Sequence, residues 1–161
     1  MSTDTENIGE VISGFLRGVP RARQPLLIAL AERLAAERYR AWAAAAEHSR
    51  RSELLACAER EEQIARRVEG LYPESAAQQR ELIEDHPALL TINDTLFAGR
   101  PLTEQFAIQA QGERLGAATW RSFANHAPDA DTRAAFLACA ELEEASARVL
   151  ESYLERRGDA G

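Results

Sequence analysis

Cys57-Ala58-Glu59-Arg60-Glu61-Glu62 is answered, 82 residues later, by Cys139-Ala140-Glu141-Leu142-Glu143-Glu144. Cysteine occurs at these two places only, so a chain merely rich in Ala, Arg and Glu does not account for the match. A second correspondence stands upstream of each copy. Glu32-Arg33-Leu34, with Tyr39, Arg40 and Trp42, matches Glu113-Arg114-Leu115, with Trp120, Arg121 and Phe123, at an offset of 81. Offsets differing by one residue describe a duplicated two-segment unit, and so two related halves of one architecture.

Each segment reads as a helix. Good helix formers dominate, β-branched residues are sparse, and no apolar/polar alternation of strand type persists. The expectation is an all-α chain, a single domain over residues 1–161 with core helices at about 24–48, 50–71, 102–127 and 129–157. Pro25 is tolerated in the opening turn of the first helix. Gly70 and Pro73 stop the second, Pro128 divides the third from the fourth, and Gly158 ends the fourth. Residues 72–100 form a long crossover, with a short helix expected from about Glu74 to Glu84. Two antiparallel hairpins joined in this way make a four-helix bundle. A small extra helix is expected over Glu6 to Leu16, where Ile8, Val11, Ile12, Phe15 and Leu16 recur at helical spacing.

Composition removes several classes of function. At 161 residues the chain can bury a core without disulfides. Its net charge of −7 comes from 26 acids against 19 Arg, with no basic face to meet a phosphate backbone, so nucleic acid is not an expected partner. No apolar run approaches the roughly eighteen residues of a membrane span. The acidic start MSTDTENIGE is unlike the basic head of a leader peptide, and the chain is expected in the cytoplasm. Two distant cysteines do not read as a disulfide framework.

Tracing each helix by steps of three and four exposes the chemistry. The stripes are Ile28, Glu32, Ala35, Tyr39, Trp42, Ala46; then Leu54, Ala58, Glu61, Ala65, Val68; then Phe106, Gln109, Glu113, Gly116, Trp120, Phe123; and Phe136, Ala140, Glu143, Ala147, Leu150, Leu154. Each apolar stripe carries one acid. A carboxylate on a buried face is costly unless paired, protonated or metal-bound, and a shared cation is the simplest common cause for four at matching levels.

These residues resemble a known family. Glu32 with an aromatic at Tyr39, followed by Ala58-Glu59-Arg60-Glu61, and the repeat in Glu113, Trp120, Ala140, Glu141 and Glu143, is similar to the ferritin-like superfamily and most resembles its rubrerythrin branch over residues 24–157. That resemblance implies a ferritin-like four-helix bundle with a dinuclear metal site, and Glu32, Glu61, Glu113 and Glu143 match its carboxylate ligands. The family pairs each second-segment Glu with a His three residues on; here those places hold Ile64 and Ser146. Losing both imidazoles leaves an all-oxygen site, better matched to Mn²⁺ or Mg²⁺ than to iron, with Ser146 a weak oxygen donor and Ile64 none. The rubredoxin-type Cys-x-x-Cys pairs are missing, which sets peroxidase activity aside.

Two functions follow. The leading expectation is a degenerate carboxylate site in a structural, regulatory or partner-binding protein. The alternative is an iron- or manganese-dependent oxidoreductase or a metal-storage protein using the four acids, so the expected cofactor is Fe or Mn, held weakly if at all. Glu62 and Glu144 lie off the stripes and are expected to face solvent. Tyr39 and Trp120 read as core aromatics, Tyr39 within reach of a ligand carboxylate. Cys57 and Cys139 read as buried thiols on opposite sides of the acid level, too far apart to bridge. His48 and His126 are placed at the carboxy-terminal ends of the first and third helices, and His86 at the surface of the crossover. The apolar Ile8–Leu16 segment, with Leu89, Leu90, Ile92, Leu96 and Phe97, is more than one bundle easily covers and points to a homodimer.

Overall fold

Residues with a low helix penalty fill almost the whole chain. The computed structural model describes residues 8–158, and these hold helices and turns with no strand. The helices are α1 (Ile8–Arg17), α2 (Gln24–Ala45), α3 (His48–Glu69), α4 (Ser75–Asp85), α5 (Leu102–Asn125) and α6 (Ala130–Gly158). The expected extra helix is α1 from Ile8 onward, while Glu6 lies outside the described residues. Among the described residues no helix is long and apolar enough to cross a membrane.

Helices α2 and α3 are joined by Ala46 and Glu47, both in extended backbone, so the chain reverses and the two pack as a hairpin. This corrects the placing of His48, which opens α3 rather than closing α2. The run Ala43–Ala46 contains no stop residue, and the stop comes from elsewhere. Arg51 of α3 donates to the carbonyls of Ala43 and Ala46 at 3.2 and 3.1 Å, satisfying acceptors that the end of α2 leaves open. The other hairpin turns as the sequence indicates. Asp129 accepts the Thr132 N–H at 2.7 Å as an amino-terminal cap, and His126 holds its Nδ1 2.9 Å from the Ser122 carbonyl at the end of α5.

Helix α5 packs on α6, and the two hairpins meet along α3 and α6. The duplication extends to their surfaces. Arg33 forks onto Glu69 through Nε and Nη2 at 2.9 and 2.6 Å; Arg114 forks onto Glu151 through the same atoms at 2.8 and 2.7 Å. Arg40–Glu62 recurs as Arg121–Glu144, at 3.0 and 2.6 Å. Arginines at the 81-residue offset thus meet acids at the 82-residue offset. Glu62 and Glu144 are accordingly turned away from the interior.

Between the hairpins the crossover runs through α4, a 3₁₀ turn (Pro87–Thr91) and a π-helical turn (Asn93–Phe97). Leu89, Ile92, Leu96 and Phe97 are buried in one cluster with Trp42 and Phe106, and of the five crossover residues expected to extend the apolar Ile8–Leu16 segment only Leu90 is exposed. The crossover part of the surface behind the expected homodimer is therefore covered by the chain itself, while Val11, Ile12, Phe15 and Leu16 of α1 are half-buried. His86 also departs from its expected place: it is half-buried, edge-on to Phe15 of α1 with ring centroids 6.3 Å apart. The crossover lies under α1 there, which the local sequence does not indicate.

Candidate carboxylate centre

The core divides into two apolar clusters, one holding Tyr39 and Cys57, the other Trp120 and Cys139. Both thiols are fully buried and free, one in each cluster. Burial pushes the Cys57 thiol up to about 11 and Cys139 up to about 12, so neither is a thiolate at neutral pH.

All four stripe acids are inside: Glu32 is 8% exposed, Glu61 0%, Glu113 1% and Glu143 2%. One oxygen from each of Glu32, Glu61 and Glu143 lies within 4.8 Å of the others. Glu32, Glu61, Glu113 and Glu143 are close enough to act on one another's ionisation. Around this group stand fixed donors. Tyr39 Oη donates to Glu113 Oε1 at 2.5 Å and Gln109 Nε2 donates to the same oxygen at 2.8 Å. Trp120 Nε1 donates to Glu143 Oε1 at 2.8 Å, and Ser146 Oγ to Glu61 Oε1 at 3.3 Å. Ile64 is fully buried and apolar, so the acid level receives nothing from it.

Glycine makes room for one acid. A Cβ on Gly116 would come within 2.5 Å of Glu143 Oε1, closer than any real contact, so the carboxylate occupies space that another residue would fill.

The acids lack counter-charge. Among the described residues none of the four forms an ion pair; the nearest buried cation, Arg38, is turned to neutral partners. Its Nε and Nη2 donate to Gln109 Oε1 at 3.2 and 2.9 Å, its Nη1 to Asn93 Oδ1 at 2.5 Å, and its guanidinium lies 4.1 Å from the Phe97 ring centre. Burial lowers Arg38 to about 10. Burial also raises Glu32, and it raises Glu61 and Glu143 well above the carboxylate value of 4.5, with neighbouring acids adding repulsion. Glu61 Oε2 and Glu113 Oε2 are buried with no partner.

A cavity of about 130 Å³ opens onto this centre between α1, α2 and α5. Its wall includes Glu32, Glu113 and Glu143, with Arg38 and Gln109 beside them. The chain matches no known family model, no curated protein and no solved structure.

Three converging carboxylates, with an unpartnered oxygen on Glu61 and another on neighbouring Glu113, and a cavity reaching the group can hold a hard divalent cation. The donor set fits such an ion because every group is oxygen and, among the described residues, no ion pair occupies it. Spacing located the acids, and the same stripe carries Gln109, Gly116 and Trp120 without revealing what they touch. Arg38 lies off the traced stripe, and only the crossover's return with Asn93 and Phe97 gives it a buried place.

Proposed function

We propose that this chain is a ferritin-like bundle of the rubrerythrin type whose imidazole-free centre binds a hard divalent cation, Mn²⁺ being the best match. The observation that carries the reading is the pair of buried, unpartnered oxygens, Glu61 Oε2 and Glu113 Oε2, in a group of acids that forms no ion pair. An orphaned buried carboxylate oxygen loses its hydration without return, and a cation restores that loss for several acids together. Further support comes from the duplicated hairpins, the long crossover and the register of the four acids.

Glu32, Glu61 and Glu143 would hold the ion, and Glu113, oriented by Tyr39 and Gln109, would complete the set for a second. Bound there, manganese would supply Lewis acidity and a one-electron redox couple. The residues around it have definite tasks. Trp120 and Gly116 fix the rotamer of Glu143. Ser146 orients Glu61, and the apolar wall around Ile64 keeps water from that side. The protons shared among the acids leave when metal enters, so uptake is coupled to proton release.

A second reading is favoured by burial and mutual repulsion, which raise Glu32, Glu61 and Glu143 and so keep protons on them: a protonated carboxyl network with a purely structural role. Titration of chelator-treated protein with Mn²⁺ in two buffers of different ionisation heat separates the two. Binding accompanied by proton release supports the metal centre; no binding at millimolar Mn²⁺ leaves the structural network.

A further inference from the structure

Arg38 is an unusual cation. It is 8% exposed, yet among the described residues the ion pairs belong to other arginines. Buried guanidinium groups are normally matched by a carboxylate or phosphate. Here two side-chain amides and an aromatic ring hold it in place, and three of its five N–H donors are used on Gln109 and Asn93. Gln109 stands between Arg38 and Glu113, accepting from the first and donating to the second. The charge is therefore positioned beside the acids but kept off them by an amide.

Arg38 also lines the cavity, whose wall combines two kinds of residue. Glu32, Glu113, Glu143 and Gln109 give it polar groups, and Ile12 and Leu16 of α1, Ile28 of α2 and Leu115 of α5 give it apolar ones. An amphiphile with a small polar head matches such a wall. Charge selects the head. Two divalent ions would neutralise the four acids and leave the Arg38 charge alone in a buried space, a state that one further negative charge relieves.

We propose that the cavity of the metal-loaded protein binds a short-chain monocarboxylate, its head placed between Arg38 and the carboxylate centre and its alkyl tail among Ile12, Leu16, Ile28 and Leu115. The proposal rests on the metal-centre reading above. Arg38 supplies the charge and the donors for the carboxylate, while α1 forms the outer wall around the tail.

The test is calorimetric titration of the Mn²⁺-loaded full chain with acetate, butanoate, hexanoate and butylammonium, Mn²⁺ content being measured separately. Each methylene buried should tighten carboxylate binding about fourfold until the cavity is full. Arg38→Gln should weaken butanoate at least tenfold while Mn²⁺ uptake is kept or tightened, because a positive charge is removed; Arg38→Lys should recover part of the loss. Should neither Arg38 variant fold, Ala31→Leu, at a residue of α2 that also lines the cavity, narrows it and should weaken hexanoate more than acetate. Carboxylate binding that ignores both chain length and the Arg38 and Ala31 changes would overturn the proposal, as would failure of the carboxylates to bind or preferential binding of butylammonium. Failure of Mn²⁺ to load would remove the metal reading and this proposal with it, and the separate metal measurement identifies that case.

Discussion

Gly116 and Glu143 occupy one another's space: the glycine on α5 leaves the volume into which the α6 carboxylate fits, and an added Cβ would stand 2.5 Å from Glu143 Oε1. Gly116→Ala therefore has two opposed effects. Helix propensity gains about 1 kcal/mol, whereas forcing the carboxylate from its rotamer costs about 1–3 kcal/mol and breaks its bond to Trp120. The expected result is a protein no more stable than the parent, with Mn²⁺ affinity reduced at least tenfold. A variant about 1 kcal/mol more stable with affinity intact would show that Glu143 moves aside freely.

The acids give the metal-free protein an unusual pH dependence. Glu32, Glu61 and Glu143 have folded values raised above the unfolded value of 4.5. Between the unfolded and the folded values the native state binds more protons, so their stabilisation is full below about pH 4.5 and is lost as pH rises through the raised values. In chelator, urea unfolding should show lower stability at pH 8 than at pH 5, by up to ~1.4 kcal/mol per pH unit for each proton involved. The surface acids with depressed values, Glu69 among them, act in the opposite sense but only as pH falls below the ordinary carboxylate range. Glu61→Gln with Glu143→Gln should flatten the slope between pH 5 and 8; an unchanged slope would place its origin elsewhere.

The Tyr39 hydroxyl donates to Glu113 in a fully buried pair. Tyr39→Phe leaves Gln109 as the donor to Glu113 Oε1 and should cost about 1–3 kcal/mol in denaturant unfolding. A loss below a few tenths would mean that the hydroxyl is replaced by water.

Histidine restoration tests the register of the resemblance. Ile64 and Ser146 are both fully buried beside the centre. Ile64→His with Ser146→His should strengthen Fe²⁺ binding relative to Mn²⁺, since imidazole nitrogen suits iron better than an all-oxygen set does. A folded double variant with unchanged metal preference would show that these positions do not face the acids as the rubrerythrin pattern requires.

Much of this architecture was legible in the chain itself, for reasons that also explain the failures. Helix stripes carry a period, so Glu32, Glu61, Glu113 and Glu143 could be placed on buried faces, and the Cys57/Cys139 repeat joined the two halves. The end of α2 was misread because Arg51, from the next helix, supplies the stop that no local residue signals. Leu89, Ile92, Leu96 and Phe97 looked like surplus apolar surface because irregular 3₁₀ and π turns have no simple period with which to trace their burial. Arg38 escaped notice for a related reason: its partners Asn93 and Gln109 are 55 and 71 residues away. The pairing of Trp120 with Glu143 breaks the symmetry of the repeat, since its counterpart Tyr39 reaches Glu113 instead, and duplicated sequence gives no hint of that exchange.

The most direct test of the central claim is the change in thermal midpoint on adding Mn²⁺ to chelator-stripped protein, measured for the parent and for Glu61→Ala. Stabilisation by a ligand follows its occupancy of the native state and amounts to about 2.7 kcal/mol at a hundred times the dissociation constant. A rise in the parent that saturates with Mn²⁺ and vanishes in Glu61→Ala is the expected result. No rise in the parent, or an equal rise in both, would contradict a metal centre built on Glu32, Glu61, Glu113 and Glu143.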